Sequence, residues 1–195
     1  MGLGGARGRC GPCWRQDAMT NIDRAKLEKC LMRKNYQAID EALRSLSPSD
    51  LLSLLDSKSI KIGDTAASLL NRRKETALLI DALLNDRIRT ALGRVRATNV
   101  LNWHGRAVPA ATTAQIHCLD DRSDSVIRNA LFGIVFLRRR DLIPKLKERL
   151  AVAERGSRRQ LDFREAIKAL EANDPLLFSP GFDDAGNVWR LDDPV

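Results

Sequence analysis

The 195-residue sequence predicts an all-α fold, a short right-handed α-solenoid of about four to five helix pairs closed by a folded-back C-terminal tail. Three observations lead there. A unit recurs through the middle of the chain, where Leu84-Asn85-Asp86-Arg87-Ile88-Arg89-Thr90-Ala91-Leu92-Gly93 is echoed by Asp121-Arg122-Ser123-Asp124-Ser125-Val126-Ile127-Arg128-Asn129-Ala130-Leu131-Phe132-Gly133. Matching Ala91 to Ala130 sets a period of about forty residues, within the range of stacked helical pairs. Aromatic residues make up only 5% of the chain, so Leu, Ala, Ile and Val must carry the core, which suits helices better than a β-sandwich. Apolar residues also recur at helical spacing between turn signals, and no stretch alternates convincingly as a strand.

Taken in order, residues 1–18 are Gly- and Arg-rich without a periodic apolar face, and disorder is expected there. They lack the apolar central segment of a secretory signal. Met19 stands directly before Thr20-Asn21, a helix N-cap pair, so the leader need not belong to the native protein. The helical domain is placed at 19–173. Its helices are expected at 22–33, 36–46, 50–56, 61–70, 75–85, 86–103, 109–119, 124–139, 142–154 and 157–172. In the second of these, Ile39, Ala42, Leu43 and Leu46 share a face, and Ser47-Pro48-Ser49 breaks the chain before the third. From 174 to 195, Pro175, Pro180, Gly181 and Gly186 forbid a long helix. Phe178, Phe182, Val188 and Trp189 are too apolar for a free tail, and the segment is expected to cover the final helix pair.

Two further units flank the clear copies. Leu54-Leu55-Asp56 leads into Ile60-Lys61-Ile62-Gly63-Asp64-Thr65-Ala66-Ala67-Ser68-Leu69-Leu70, and Asp141-Leu142-Ile143-Pro144-Lys145-Leu146 opens another. An early proline in the first helix, an Asp turn, then a Val/Ile-Arg-x-x-Ala-Leu second helix: in these features residues 48–173 resemble a HEAT repeat protein of the armadillo type. The resemblance implies stacked pairs whose second helices line a concave face, and it implies little about the ligand.

Within the helix expected at 86–103, Ile88, Ala91, Leu92, Val95 and Trp103 share one side, read as core. The opposite side carries Thr90, Gly93 and Ala97, with Arg87 and Arg94 along one edge and Arg89 and Arg96 along the other. On a concave face this would be a small-residue floor bordered by guanidinium groups, which bind carboxylate or phosphate bidentately. Pairing across repeats accounts better for Asp86 with Arg89 and Asp124 with Arg128, leaving Arg87, Arg94 and Arg96 as candidates for ligand contact. The helix expected at 124–139 is apolar nearly all round. Burial explains most of it, but on an inner face Phe132 and Phe136 would anchor a protein partner. Arg138 and Arg139 open the basic run that follows.

The formal net charge is +8, and clustered cations attract nucleic acid, acidic protein or anionic membrane surface without choosing between them. Asp183, Asp184, Asp192 and Asp193 form an acidic counterweight able to fold onto that surface and compete with a ligand. Cys10-Gly11-Pro12-Cys13-Trp14 resembles a thioredoxin tetrapeptide but has no strand before it or helix after it. Cys30 and Cys118 read as small buried hydrophobes, and four cysteines without a secretory signal point to a reducing, cytoplasmic setting. His104 suits a helix C-terminus, and His117 with adjacent Cys118 points two ways rather than at one metal ion. No phosphate loop, nucleophile elbow or paired-carboxylate motif is present. The longest apolar run, 130–137, is too short to span a membrane. The expectation is a non-enzymatic adaptor, without cofactor or metal, that takes a protein partner on a basic concave face. Nucleic-acid binding, as in a DNA glycosylase built on HEAT-like repeats, is the alternative, and a toxin-neutralising immunity protein is a third.

Overall fold

A computed structural model describes residues 24–104 and 107–178. The leader, the Cys10–Trp14 motif, Met19-Thr20-Asn21 and the tail beyond Phe178 lie outside the described residues. Ten helices and no strand occur among those described: α1 (Arg24–Met32), α2 (Tyr36–Arg44), α3 (Pro48–Leu54), α4 (Ile60–Arg72), α5 (Thr76–Leu84), α6 (Ala91–His104), α7 (Pro109–Cys118), α8 (Asp124–Phe136), α9 (Ile143–Val152) and α10 (Arg158–Ala172). No helix among the described residues is long and apolar enough to cross a membrane.

Starts and stops follow local chemistry. Side chains of Asn35, Ser47, Ser59 and Ser157 accept the free amides of Ala38, Asp50, Ile62 and Gln160 at the heads of α2, α3, α4 and α10. Proline opens α3 and α7 and sits in the first turn of α9, where its missing N–H removes no helical bond. Five helices end alike: Lys34, Lys74, Asp86, Arg138 and Asn173 adopt positive φ after α1, α4, α5, α8 and α10. In each, the next amide reaches back five residues, as in Glu75 to Leu70 and Arg139 to Ile134, which is the Schellman closure.

Consecutive helices pair, α1 with α2, α3 with α4, α5 with α6, α7 with α8 and α9 with α10, and each even-numbered helix packs on the next even-numbered one. Among the odd-numbered helices α5 packs on α7. The apolar core is continuous along the chain, from Leu27, Ile39 and Leu43 through Leu70, Leu83 and Leu101 to Ile127, Leu131, Phe163 and Leu170. After α10, residues 174–178 turn back through a 3-10 turn at Pro175–Leu177, and Phe178 is buried with the Arg128 guanidinium of α8 over its ring at 4.9 Å.

One helix departs from expectation. Residues 86–90 do not belong to α6, because Asp86 takes the left-handed turn and Asp56, from the α3 end, accepts the amides of Arg89 at 3.1 Å and Thr90 at 2.9 Å. That carboxylate fixes the turn ahead of α6 across the fold, a partner no local pattern reveals, while the helix itself is capped locally by the Thr90 hydroxyl, which accepts the Gly93 amide at 3.0 Å. The faces of α6 also lie differently. Gly93, Arg94, Arg96, Ala97 and Thr98 are buried, Ala91, Leu92 and Val95 only half-buried, and Trp103 is 61% exposed. With α4, α5, α7 and α8 all packed on it, α6 retains one open face, and small residues are needed on the sides where its neighbours approach.

Candidate functional site

Of the arginines expected to border a ligand floor, Arg94 and Arg96 are buried against carbonyls and aspartates of neighbouring elements. Arg96, 5% exposed, donates to the carbonyls of Leu55 at 2.7 Å and Ser57 at 2.9 Å, and to Asp64 at 2.8 Å. It thereby satisfies carbonyls left open at the end of α3, the deficit every helix C-terminus carries. Gly63 makes room for it, since a Cβ there would overlap the guanidinium. Arg94, 8% exposed, grips Asp121 bidentately at 2.6 and 3.0 Å and donates to the Arg89 carbonyl at 2.8 Å. The hydrogen bond that Arg94 donates to Asp121 pushes the Arg94 pKa above its ordinary value, so its charge is permanent. Arg87 pairs with Asp81 at the surface. Arg139 grips Asp141 at 2.9 and 2.7 Å and donates to Thr112 at 2.8 Å, while Arg138 is exposed with no ion pair among the described residues.

Ion pairs link successive helix pairs, but they join other residues than those expected. Asp86 faces His117 at 3.7 Å, Asp124 takes Arg159 at 2.9 Å, and Arg128 meets Asp162. Asp162 is 1% exposed, and its burial raises its pKa against the opposing pull of Arg128 and Arg158. Between α6 and α8 the seam is polar. Asn129 donates to the Val95 carbonyl at 3.0 Å and to the Thr98 hydroxyl at 2.7 Å, and Asn102 accepts from Gln115 at 2.9 Å. Gly133 lets this seam close, because a Cβ would strike the Asn102 and Gln115 side chains.

Above that seam lies the open face, and there the aromatic residues gather. Helical spacing places Leu92, Val95, Asn99 and Trp103 of α6 on one stripe and Ser125, Asn129, Phe132 and Phe136 of α8 on the adjoining one. Phe132 and Phe136 stack with centroids 5.9 Å apart, and Phe136 meets Trp103 edge-on at 5.5 Å. Both phenylalanines are half-buried and the indole is largely in solvent. The phenylalanine pair was legible as a candidate; Trp103 was not, because the helical wheel alone assigned it to the core. The same open side continues to α4 and α2, where Tyr36, Asp40, Arg44, Ile60, Lys61 and Asp64 contribute to a cleft of about 520 Å³.

A second cleft, of about 540 Å³, sits at the turns joining α5 to α6 and α7 to α8 and is lined by Asp86, Arg89, His117, Asp120 and Arg122 among others. Its nucleophile candidate is unreactive: burial pushes the Cys118 thiol up to about 12, leaving almost no thiolate at neutral pH. Cys30 is only half-buried. No group of three or more metal-ligating side chains gathers among the described residues.

Comparison with known proteins returns no match. No family model, no curated protein and no solved structure matches the sequence. The geometry alone must therefore carry the functional reading.

Proposed function

We propose that this chain is a HEAT-like, non-enzymatic binding module that takes a protein partner on the open face of its even-numbered helices. The single observation behind this reading is the Trp103–Phe136–Phe132 cluster, an exposed indole edge-on to one phenylalanine ring that stacks on a second. Aromatic side chains that are already ordered before contact lose little freedom on binding and dominate the energy of protein interfaces. The succession of even-numbered helices, each packed on the last, supports an arrangement in which this face extends over several repeats, as in a solenoid. Arg94, Arg96 and Arg139 are committed to aspartates and carbonyls and have few donors left for phosphates, so these three would add little to a nucleic-acid contact.

The test is affinity capture from native lysate with the intact chain and with Trp103→Ala, each with and without nuclease, followed by salt elution. Capture that falls at least tenfold in the variant, resists nuclease and survives moderate salt is the expected result. Nucleic acid retained equally by both proteins and released steeply by salt would replace this reading with a phosphate-binding one.

A further inference from the structure

We infer that the open aromatic face is a docking site for the chain's own C-terminal segment, residues 179–195, which occupies it in cis until a partner displaces it. The inference rests on the proposed use of that face and concerns its regulation. Phe178 is the fixed point. It is buried under the Arg128 guanidinium, and on α8 Arg128, Phe132 and Phe136 follow at spacings of four, one turn above another. At ~1.5 Å per residue the aromatic cluster lies about 12 Å along the helix from where the tail is anchored. Trp103 is one helix further, about 10 Å across.

The segment beyond that anchor has the matching length and chemistry. Phe182 comes four residues after Phe178, a reach of about 13 Å when extended, and Trp189 seven residues later. Both aromatics are flanked by acid: Asp183 and Asp184 follow Phe182, and Asp192 and Asp193 follow Trp189, against the single Arg190. Basic residues of opposite sign stand on the neighbouring elements. Arg138 and Arg140 stand at the end of α8, and Arg164 and Lys168 lie on the exposed side of α10. All four are exposed, with no ion pair among the described residues. An acidic peptide with two aromatic anchors therefore complements an aromatic patch with basic residues on the neighbouring elements. The tether raises its local concentration to the millimolar range, so even a weak contact is populated. A partner using the same face must then outcompete the tail.

The test uses the full chain with Phe182→p-benzoylphenylalanine, irradiated at high dilution and mapped by mass spectrometry. The expected result is an intrachain crosslink into residues 92–104 or 129–140, with a yield at least fivefold lower when Trp103→Ala is added; this exposed site leaves the core untouched. No crosslink, crosslinks elsewhere, crosslinks only between copies, or a yield indifferent to Trp103→Ala would overturn the inference. The outcome is separable from the fate of the partner reading. A lost crosslink with capture still dependent on Trp103 removes only the tail's role, whereas a retained crosslink with capture indifferent to Trp103 removes only the partner's.

Discussion

Helices α2 and α6 were both read from apolar spacing, yet only α2 matches its reading. In α2 the fully buried residues are Ile39 and Leu43, four apart, and the rest of the helix is exposed or half-buried. It packs against α1 and α4. In α6 burial extends to two arginines, a threonine and an asparagine, and the exposed side is its most aromatic one. The difference shows what periodicity measures. A helix with water on one broad side must sort its residues by polarity, whereas a helix packed by four others sorts them by size and by which carbonyls need a donor.

The sharpest way to break this contrast is Arg96→Ala beside Arg87→Ala. Removing Arg96 leaves a buried carbonyl at Leu55 and a partly buried one at Ser57 without this donor, and about 3 kcal/mol should be lost, read as a lowered urea midpoint. Its acidic partner Asp64 is mostly solvated, so the carbonyls, not the ion pair, set the loss. Arg87 and Asp81 are both about half exposed, and that pair should contribute under ~0.5 kcal/mol. Equal effects from the two variants would return the buried arginines to the status of ligand candidates.

Gly63→Ala sharpens the same point. In a solvent-facing helix the change would gain up to about 1 kcal/mol of propensity. Here the new methyl overlaps a guanidinium pinned by Asp64 and two carbonyls, so a net loss of roughly 1–2 kcal/mol is expected. Repeating the substitution in an Arg96→Ala background should reverse its sign, a coupling visible in a double-mutant cycle. Additivity would mean that the glycine serves some other contact.

These residues also explain how much was legible beforehand. Ten helices and their order follow from caps, prolines and apolar spacing, all local signals. The α6 start did not, since the Asp56 carboxylate, more than thirty residues away, holds residues 89–90 in the turn before the Thr90 cap. Nor did the helix stops announce themselves through glycine, because charged residues or asparagine hold the left-handed position in five of them. Phe132 and Phe136 stood out as surplus apolar residues on a helix too hydrophobic for one face. The burial of Arg94 and Arg96 was not legible, because sequence shows a donor but not which distant carbonyl requires it.

Those glycine-free stops give a smaller, stabilising prediction. Lys74 closes α4 with φ at 57°, a conformation in which its Cβ is strained. Lys74→Gly removes that strain at the cost of greater freedom in the unfolded chain, and a net gain of about 0.5 kcal/mol is expected. The same change at Glu41, inside α2 and exposed, should destabilise by a comparable amount. A thermal melt on both variants decides whether helix ends or helix interiors set the sign.

The smallest effect distinguishes two carboxylates that both meet arginine. Asp141 is largely exposed, and the hydrogen bond from Arg139 holds its pKa below the ordinary 3.8. A depressed folded-state pKa contributes stability that is present above the unfolded value and fades as pH falls through the folded one. Solvent screening limits it to under ~0.5 kcal/mol. Asp162 runs the other way: burial raises its pKa, so this contribution is complete below the unfolded value and is lost as pH rises through the folded one. Asp141→Asn should therefore narrow its small deficit relative to the parent chain as the pH drops below about 3.8, while added salt shrinks it at neutral pH. A deficit independent of both pH and salt would show that Arg139 is held by Thr112 and packing rather than by charge.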